Sequence, residues 1–240
     1  MKISFEALDD CRAWEKAPDF LKSLIGEHGC QRILEVGSGA NPTLDPEYVR
    51  LSGLEYVTSD VNADELAKAD LAFERLVIDL SAEVPESLLG SFDCVFSRLV
   101  GEHIRDGEKY HRNLFEVLRP GGISVHCFSS LWTIPFAVNR LLPDSLTDPL
   151  LKFVSPRDSH KQGKFKAYYS WSRGPTKTMI NRFHSLGFEV IEYIGCFGHA
   201  YYRKRFPWLD RLERMKTRFL LQHPVPLLCS YATIILRKPK

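Results

Sequence analysis

The sequence predicts an α/β protein that is built on an open, mostly parallel β-sheet. Three observations indicate this class: short β-branched runs alternate with segments of helical periodicity, successive runs start about 20 to 30 residues apart, and a glycine turn follows the first run. The spacing leaves room for one crossover helix between parallel strands. At 240 residues, of which 44% are hydrophobic and 26% are charged, the chain is long enough to bury one large core.

Seven β-strands are predicted, five in the first half of the chain and two near its end. They cover residues 32–36, 55–60, 75–80, 92–97, 123–128, 188–194 and 231–237. Apolar residues at helical spacing predict three helices. These cover residues 107–118, 176–186 and 208–222. The run Arg119-Pro120-Gly121-Gly122 is expected to end the first of these helices and to turn the chain into the fifth strand.

A single domain over residues 1–240 is expected, with a helical N-terminal segment over residues 1–29 and a regular half over residues 30–130. Two irregular insertions, 131–175 and 195–228, interrupt the later part of the chain. Because connecting segments carry most substrate contacts, we expect the two insertions to form a cap over the sheet.

Aromatic residues in the insertions are the candidates for substrate contact. They are Tyr168, Tyr169, Trp171 and His199. The alternative is that these rings fill the space between insertion and sheet while the neighbouring cations face water. In the helix over residues 208–222, arginine and lysine are interleaved with apolar residues. A position on a membrane surface and a position as a cap over the site both stay open for this helix.

Charge is distributed unevenly along the chain. Residues 1–130 carry 13 Lys and Arg against 23 Asp and Glu, whereas residues 131–240 carry 19 against 7. The two halves are therefore expected to meet ligands of opposite charge, with an unevenly charged solvated surface as the alternative.

The cysteines and the apolar segments restrict the class of protein further. The six cysteines form no Cys-x-x-Cys pair, so we expect reduced thiols, no structural metal ion and a cytoplasmic location. No apolar stretch approaches the roughly 18 residues of a membrane span. Residues 1–10 carry acidic groups rather than a basic and then apolar leader. Secretion and transmembrane insertion are therefore not expected.

A glycine turn and two aspartates mark one edge of the predicted sheet. Gly37-Ser38-Gly39 follows the first strand, Asp60 ends the second strand and Asp79 ends the third. Glycine tolerates positive φ and lets a ligand approach the backbone. Carboxylates at these strand ends are placed to accept hydrogen bonds from a ribose and from an adenine amine. The alternative is that both aspartates cap the following helices, but their joint positions favour an adenosine ligand.

The charge at this edge indicates which adenosine cofactor is expected. A dinucleotide fingerprint would place a third glycine where this chain has Pro42. Glu35, Asp60 and Asp79 make the same region acidic, which suits a cation. S-adenosylmethionine carries a sulfonium and an ammonium group against one carboxylate, so it fits both the adenosine site and the sign of the charge.

Several motifs follow one another in a characteristic order. They are Ile33-Leu34-Glu35-Val36-Gly37-Ser38-Gly39, Asp60, Asp79, Phe92-Asp93-Cys94-Val95-Phe96-Ser97, Glu102-His103-Ile104 and Leu118-Arg119-Pro120-Gly121-Gly122. This order resembles that of the class I S-adenosylmethionine-dependent methyltransferases, nearest to the broad small-molecule group called type 11. The resemblance covers residues 30–130 and implies that this half binds the cofactor. It further implies a Rossmann-like, seven-stranded sheet of order 3-2-1-4-5-7-6 with the last strand antiparallel, helices on both faces and the two insertions as a cap.

The resemblance also implies the cofactor contacts. The expected residues are Glu35, Gly37, Ser38, Gly39, Asp60, Val61, Asp79, Leu80 and Ser97. Those around the glycine turn would cradle the methionine part, Asp60 would hold the ribose, and Asp79 with Leu80 would meet the adenine. Ser97 would line the cofactor from the fourth strand. Asn41 departs from the family pattern, where many members have glycine, although asparagine also tolerates left-handed geometry.

An oxygen acceptor needs a base to remove its proton, whereas the methyl donor arrives already activated. His103, just past the fourth strand, is the candidate base, because an imidazole changes its protonation near neutral pH. A structural role for this histidine is the alternative. His126 is expected to be a core histidine. Ser129 and Ser130 are candidates for substrate contact or for turn formation.

The leading hypothesis is methyl transfer from S-adenosylmethionine to an oxygen atom of a small or carrier-linked acceptor. Anionic glycans, lipids and biosynthetic intermediates are the acceptor classes considered. The alternatives are a non-catalytic scaffold that retains the fold and an RNA methyltransferase. RNA is disfavoured because the chain has no Asn/Asp-Pro-Pro-Tyr segment and no recognisable RNA-binding module.

A nicotinamide-dependent oxidoreductase is disfavoured by the missing final glycine and by the absence of a Tyr-x-x-x-Lys pair. Peripheral contact with a membrane is compatible with the basic second half. The acceptor, its reacting atom and the oligomeric state are left open by the sequence.

Overall fold

The computed structural model describes residues 1–69, 73–131, 166–203 and 205–240. Within these residues the chain forms eight β-strands. They are β1 (Lys2–Ala7), β2 (Arg32–Val36), β3 (Glu55–Asp60), β4 (Glu74–Val77), β5 (Phe92–Arg98), β6 (Leu118–Ser129), β7 (Glu189–Phe197) and β8 (Tyr231–Arg237). The strands form one sheet of order β1-β7-β8-β6-β5-β2-β3-β4, in which β8 alone runs antiparallel to its neighbours. This is the mostly parallel α/β sheet that the sequence predicts.

Helices cover both faces of the sheet. They are α1 (Ala17–His28), α2 (Pro46–Ser52), α3 (Ala63–Ala67), α4 (Gly107–Val117), α5 (Lys177–Ser185) and α6 (Pro207–Gln222). Helix α1 packs Leu21 into one core cluster, and α4 packs Tyr110 into another. The two clusters lie on opposite faces of the sheet, because the neighbouring β2 residues Ile33 and Leu34 contribute to different ones.

Seven of the eight strands follow the expected order. With β1 set aside, the order β4-β3-β2-β5-β6-β8-β7 is the 3-2-1-4-5-7-6 arrangement. The bounds of β2, β3 and β8 coincide with the predicted strands. Strand β4 ends at Val77 rather than at residue 80, so Asp79 and Leu80 lie in the loop that follows it.

The expectation of a purely helical segment over residues 1–29 is wrong, because β1 adds an eighth strand to the sheet. β1 pairs in parallel with β7 along its whole length. The ring of Phe5 stacks on that of Phe197 at a centroid distance of 5.4 Å, and Lys2 Nζ lies 2.7 Å from Glu192 Oε1. The pairing satisfies backbone groups that β7 would otherwise present along the edge of the sheet.

Strand β6 begins earlier than predicted. Leu118 pairs with Phe92, and the next pairing joins Ile123 to Cys94. Residues 119–122 therefore bulge out of the strand. The predicted turn is present, but it interrupts the sheet pairing instead of preceding the strand.

Two observations concern the expected class of protein. In the part of the chain that the structure describes, no helix combines the length and the apolar character that crossing a membrane requires. The six cysteines are buried, and all of them are free thiols.

Replacing Gly195 in β7 tests the packing of β1. A Cβ atom on Gly195 would lie 2.5 Å from Cys229 Sγ and 2.9 Å from Phe5 Cδ1. We expect Gly195→Ala to lower the free energy of unfolding by about 1–3 kcal/mol, as overpacked cores do. The matched control is Gly26→Ala in α1, where a Cβ atom meets nothing within 4 Å and helix propensity predicts a small gain. Urea denaturation measures both, and an unchanged stability of Gly195→Ala would contradict the packing of β1 on β7.

Candidate functional site

The carboxyl ends of β2, β3, β4 and β5 meet at one edge of the sheet, because these strands are parallel neighbours. The glycine turn follows β2 there, and Ser38 N–H donates a hydrogen bond to the Ser59 carbonyl oxygen at 3.0 Å. A Cβ atom placed on Gly39 would lie 3.5 Å from Asp60 Oδ2. The structure thus brings the predicted glycine turn and the predicted ribose carboxylate together. We call this edge the crevice.

Gly37 is required by its backbone and by its neighbour. Its φ is +70°, a value that favours glycine, and a Cβ atom there would clash with Val100 Cγ2. Val100 follows β5, so the turn after β2 packs directly on the segment after β5. A side chain at Gly37 would push these two edges of the crevice apart.

Glu35 points its carboxylate into the core and not into the crevice. Oε2 accepts a hydrogen bond from Thr43 N–H at 3.0 Å and another from the Tyr56 hydroxyl, and Oε1 accepts one from Thr43 Oγ1 at 2.7 Å. Burial raises the pKa of this carboxyl above its ordinary value, while the hydrogen bonds oppose that rise. Glu35 therefore ties the loop after the glycine turn to β3. Neither Thr43 nor Tyr56 carries a sequence signal that would have found this role.

Asp60 and Asp79 hold their own turns with one oxygen each. Asp60 Oδ1 accepts from Asn62 N–H at 2.9 Å, and Asp79 Oδ1 accepts from Ser81 N–H at 2.8 Å. Neither aspartate caps a helix, because the N-cap of α3 is Asn62 and the first helical turn after Asp79 begins at Glu86, so the alternative that the sequence left open is wrong and each carboxylate has a local turn-forming role instead. It uses only Oδ1, and no hydrogen bond within the described residues engages Oδ2 of either carboxylate. Beside Asp60, the side chain of Val61 is 62% exposed.

Leu80 and Ser97 are turned away from the crevice. The Leu80 side chain is buried in the core, and its carbonyl oxygen accepts from Asn113 Nδ2 at 2.8 Å. The Ser97 hydroxyl is buried 2.7 Å from His126 Nδ1. Their predicted contacts with a cofactor would therefore come from backbone atoms.

His126 is the core histidine that the sequence predicts. Its two ring nitrogens lie 2.7 Å from Ser97 Oγ and 2.6 Å from Ser124 Oγ. Burial lowers the pKa of His126 to about 3. The neighbouring His111 is also buried, at 5.4 Å between ring centroids, and burial lowers its pKa well below the ordinary value.

Glu102 forms the centre of a second buried group beside the crevice. Its Oε1 accepts from Ser129 Oγ at 2.8 Å, and its carbonyl oxygen accepts from Tyr168 N–H at 2.7 Å and Tyr169 N–H at 3.0 Å. Oε2 is buried with no hydrogen-bond partner among the residues that the structure describes. Burial raises the pKa of the Glu102 carboxyl. Sequence reasoning placed Glu102 in a motif but assigned it no role.

The backbone on both sides of Glu102 is strained. Leu99 has φ +58° and Tyr169 has φ +51°, and these are the two non-glycine residues with positive φ in the described ranges. Strained backbone of this kind persists only where the surrounding contacts hold it in place, and it is concentrated at functional sites. Tyr169 is buried, whereas Tyr168 is partly exposed.

His103 lies at the rim of the crevice, next to Glu102. Its Nδ1 is 3.1 Å from the Lys166 carbonyl oxygen. Because a carbonyl only accepts, Nδ1 is the ring nitrogen that carries the proton in this contact. The contact fixes the orientation of the ring against the backbone of Lys166.

Trp171 and His199 lie outside the crevice. Trp171 is buried and stacks on His111 at 5.4 Å between ring centroids, so for this ring the structure confirms the alternative of a core-filling role. His199 is buried against Tyr202, with its Nε2 3.7 Å from Glu213 Oε2 in α6. Residues 132–165 of the first insertion and residue 204 of the second lie outside the described residues, so the expected cap is not described there.

The buried histidines predict a pH-dependent stability. In the unfolded chain His111 and His126 bind protons near pH 6.5, whereas the folded protein keeps both neutral, so stability is lost as the pH falls below that value. We expect a loss of about 1 kcal/mol per pH unit for each histidine. His111→Phe removes one of these groups and keeps a ring against Trp171, so its unfolding free energy should fall less between pH 7 and pH 5.

Urea denaturation at the two pH values measures the difference. His28→Gln in α1 is the matched control, because it removes a histidine that is partly exposed rather than buried. A His111→Phe variant with the full wild-type slope would contradict the buried neutral state of His111.

Comparisons with known proteins agree with this geometry. Residues 34–126 match the protein family described as "Methyltransferase domain". A curated relative, the ubiquinone biosynthesis O-methyltransferase of Bradyrhizobium sp. (strain ORS 278), is 32% identical over 119 residues, which cover 48% of this chain and 45% of that protein. The chain thus spans less than half the length of this relative.

Solved structures share the fold at low identity. Phosphoethanolamine N-methyltransferase 2 of Haemonchus contortus, in complex with phosphomonomethylethanolamine and S-adenosylhomocysteine, has a TM-score of 0.53 at 20% identity, over 92% of this chain and 53% of that chain. An S-adenosylmethionine-dependent methyltransferase from Mesorhizobium loti has a TM-score of 0.52 at 17% identity, over 96% and 100%. The [4+2]-cyclase SpnF has a TM-score of 0.53 at 15% identity, over 98% and 86%.

These findings confirm the class I resemblance and the Rossmann-like sheet that the motifs imply, and S-adenosylmethionine is the cofactor of that class. SpnF, described as a cyclase, shows that this fold also occurs with a different reaction.

Proposed function

We propose that this chain, which carries a class I S-adenosylmethionine-dependent methyltransferase domain, transfers a methyl group to an oxygen atom of a small or carrier-linked acceptor. One observation carries the proposal. Gly39, with φ +51° and no side chain, leaves its backbone accessible beside Asp60 Oδ2, where the parallel strands β2 and β3 end. An adenosine ligand needs this combination, an approachable turn beside an accepting carboxylate.

The residues of the crevice fit the cofactor. Asp60 keeps Oδ2 available for ribose hydroxyls, and the exposed apolar surface of Val61 lies next to it. Asp79, exposed on the adjacent loop, keeps its own Oδ2 available for an amine. The bound cofactor supplies an activated methyl group, and its positive charge matches these carboxylates. Glu35 acts as a positioning residue, because its carboxylate fixes the loop after the turn from inside the core, and Gly37 lets the turn pack against Val100.

The acceptor side is formed by the Glu102 group. Glu102 joins Ser129 of β6 to the backbone of Tyr168 and Tyr169, so it holds one wall of the crevice in place. Lys166 is exposed beside this wall, with its ammonium group 5.6 Å from the centre of the Tyr168 ring. A cation and an aromatic face at the rim suit an anionic or aromatic acceptor.

An oxygen acceptor is supported by two facts. The curated relative is named an O-methyltransferase. His103 follows β5, and the contact between its Nδ1 and the Lys166 carbonyl oxygen orients the imidazole that would take a proton from the acceptor hydroxyl. We place this reaction in the cytoplasm, in keeping with six free thiols.

Asp60→Ala tests the cofactor site. Loss of hydrogen bonds to a charged acceptor should weaken binding of S-adenosylmethionine and of S-adenosylhomocysteine about 10- to 100-fold in isothermal titration. Asp64→Ala, an exposed aspartate of α3, is the matched control and should bind both as the wild type does. The cofactor site is placed wrongly if Asp60→Ala and Asp64→Ala bind equally well, or if the wild type binds neither compound.

His103→Gln tests the base. We expect a loss of about 10²- to 10⁴-fold in kcat with a nearly unchanged KM, because the side chain acts on the proton and does not hold the acceptor. The assay follows release of S-adenosylhomocysteine with a panel of phenols, catechols, sugars and their long-chain alkyl derivatives.

The matched control for His103→Gln is His28→Gln in α1. A His103→Gln variant that keeps the wild-type kcat would show that His103 is not the base. Cofactor binding without turnover across the whole panel would favour the alternative of a non-catalytic scaffold.

A further inference from the structure

Helix α6 presents its apolar side to the surroundings of the protein. The exposed fractions are 64% for Trp208, 53% for Leu212, 58% for Met215 and 60% for Phe219. These four positions follow one another by four, three and four residues, so they lie on one side of the helix. A cap helix over the crevice would bury this side. We call the four residues the apolar stripe.

The opposite side of α6 packs on the protein through Leu220, which joins a small apolar cluster with Phe197, and through polar residues. Asp210 and Thr217 are buried, and a Cβ atom on Gly198 would lie 2.9 Å from Thr217 Oγ1. Glu213 Oε2 lies 3.7 Å from His199 Nε2. An amphipathic helix of a globular protein ordinarily places its main apolar face on the core, whereas in α6 Leu220 is the one apolar residue among the three that are buried. The arrangement indicates that the apolar stripe contacts something other than the sheet.

The charged residues of α6 also differ between its buried side and its exposed side. Its only acidic residues, Asp210 and Glu213, belong to the side that faces the protein. Arg211 and Arg218 are exposed, flank the apolar stripe and form no ion pair with the described residues. The exposed side of α6 is therefore apolar along its centre and positively charged along its margin.

We propose that α6 binds this protein to an anionic lipid bilayer through the apolar stripe. Apolar side chains then enter the region between headgroups and acyl chains, and Arg211 and Arg218 contact lipid phosphates. The charge argues against a second copy of this chain as the occupant. A symmetric contact between two stripes would bring the same arginines together with no acidic residue on either exposed side to offset them.

Co-flotation with lipid vesicles tests the proposal on the full chain. The wild type should float with vesicles of phosphatidylcholine mixed with phosphatidylglycerol and remain unbound with phosphatidylcholine alone. Phe219→Glu removes part of the apolar stripe, and the double variant Arg211→Glu with Arg218→Glu reverses the flanking charge. Each should weaken binding at least about tenfold, and added salt should weaken wild-type binding.

The matched controls lie on α2, where Leu51 is 68% exposed. Leu51→Glu and Arg50→Glu make the same chemical changes on another surface and should bind like the wild type. Since all of these side chains are exposed, the urea midpoints should stay at the wild-type value. Trp208 gives a second measurement: anionic vesicles should shift its fluorescence to shorter wavelength, and Trp208→Phe should lose the shift.

The outcomes separate the possible occupants. Equal vesicle binding by Phe219→Glu and Leu51→Glu, or a wild type that binds no anionic vesicles, overturns the proposal. A wild-type dimer in sedimentation equilibrium that Phe219→Glu converts to a monomer, without vesicle binding by either protein, assigns the stripe to a second copy and also overturns it. None of these measurements depends on methyl transfer, so they stand apart from the tests of the proposed function.

Discussion

The buried carboxylate of Glu35 is the constraint on which the crevice depends. It joins the end of β2 to the loop at Thr43 and to the hydroxyl of Tyr56 in β3. Gly37 then packs on Val100 so closely that no Cβ atom fits between them. Together these contacts hold the end of β2 against β3 and against the segment that follows the end of β5. A ligand that spans these ends meets preorganised groups, because the entropy of ordering them has already been offset by folding.

Local patterns in the sequence predict where strands end. They predict the contacts between distant residues less well. Gly39 and Asp60 were predictable, because each directly follows or ends an apolar strand, and such a pattern is visible in consecutive residues of the sequence. The hydrogen bond from Ser129 to Glu102 joins residues 27 positions apart, and no periodicity reports such a pair. Trp171 was ambiguous for the same reason: its composition fits a binding surface, and only its stacking on His111 shows that it fills the core.

Periodicity identified the two sides of α6 but not the direction in which each one faces. The spacing of Trp208 and Phe219 is equally compatible with a core face and a surface face. Burial of Thr217 against Gly198 decides between them. Likewise, β1 was not among the seven expected strands, because the first strand of the family pattern corresponds to β2 of this chain. Elements added outside a family's common sheet are therefore the ones that resemblance predicts least well.

The pairing of β1 with β7 also sets an order of events during synthesis. Lys2 is joined to Glu192, so the earliest described strand finds its partner only after most of the chain has left the ribosome. Until then β1 is an unpaired strand, and closing so long a loop is slow compared with forming local helices. The pairing of β1 at the edge of the sheet therefore forms late. The central strands β2, β3 and β5 can assemble their part of the crevice before β1 pairs with β7.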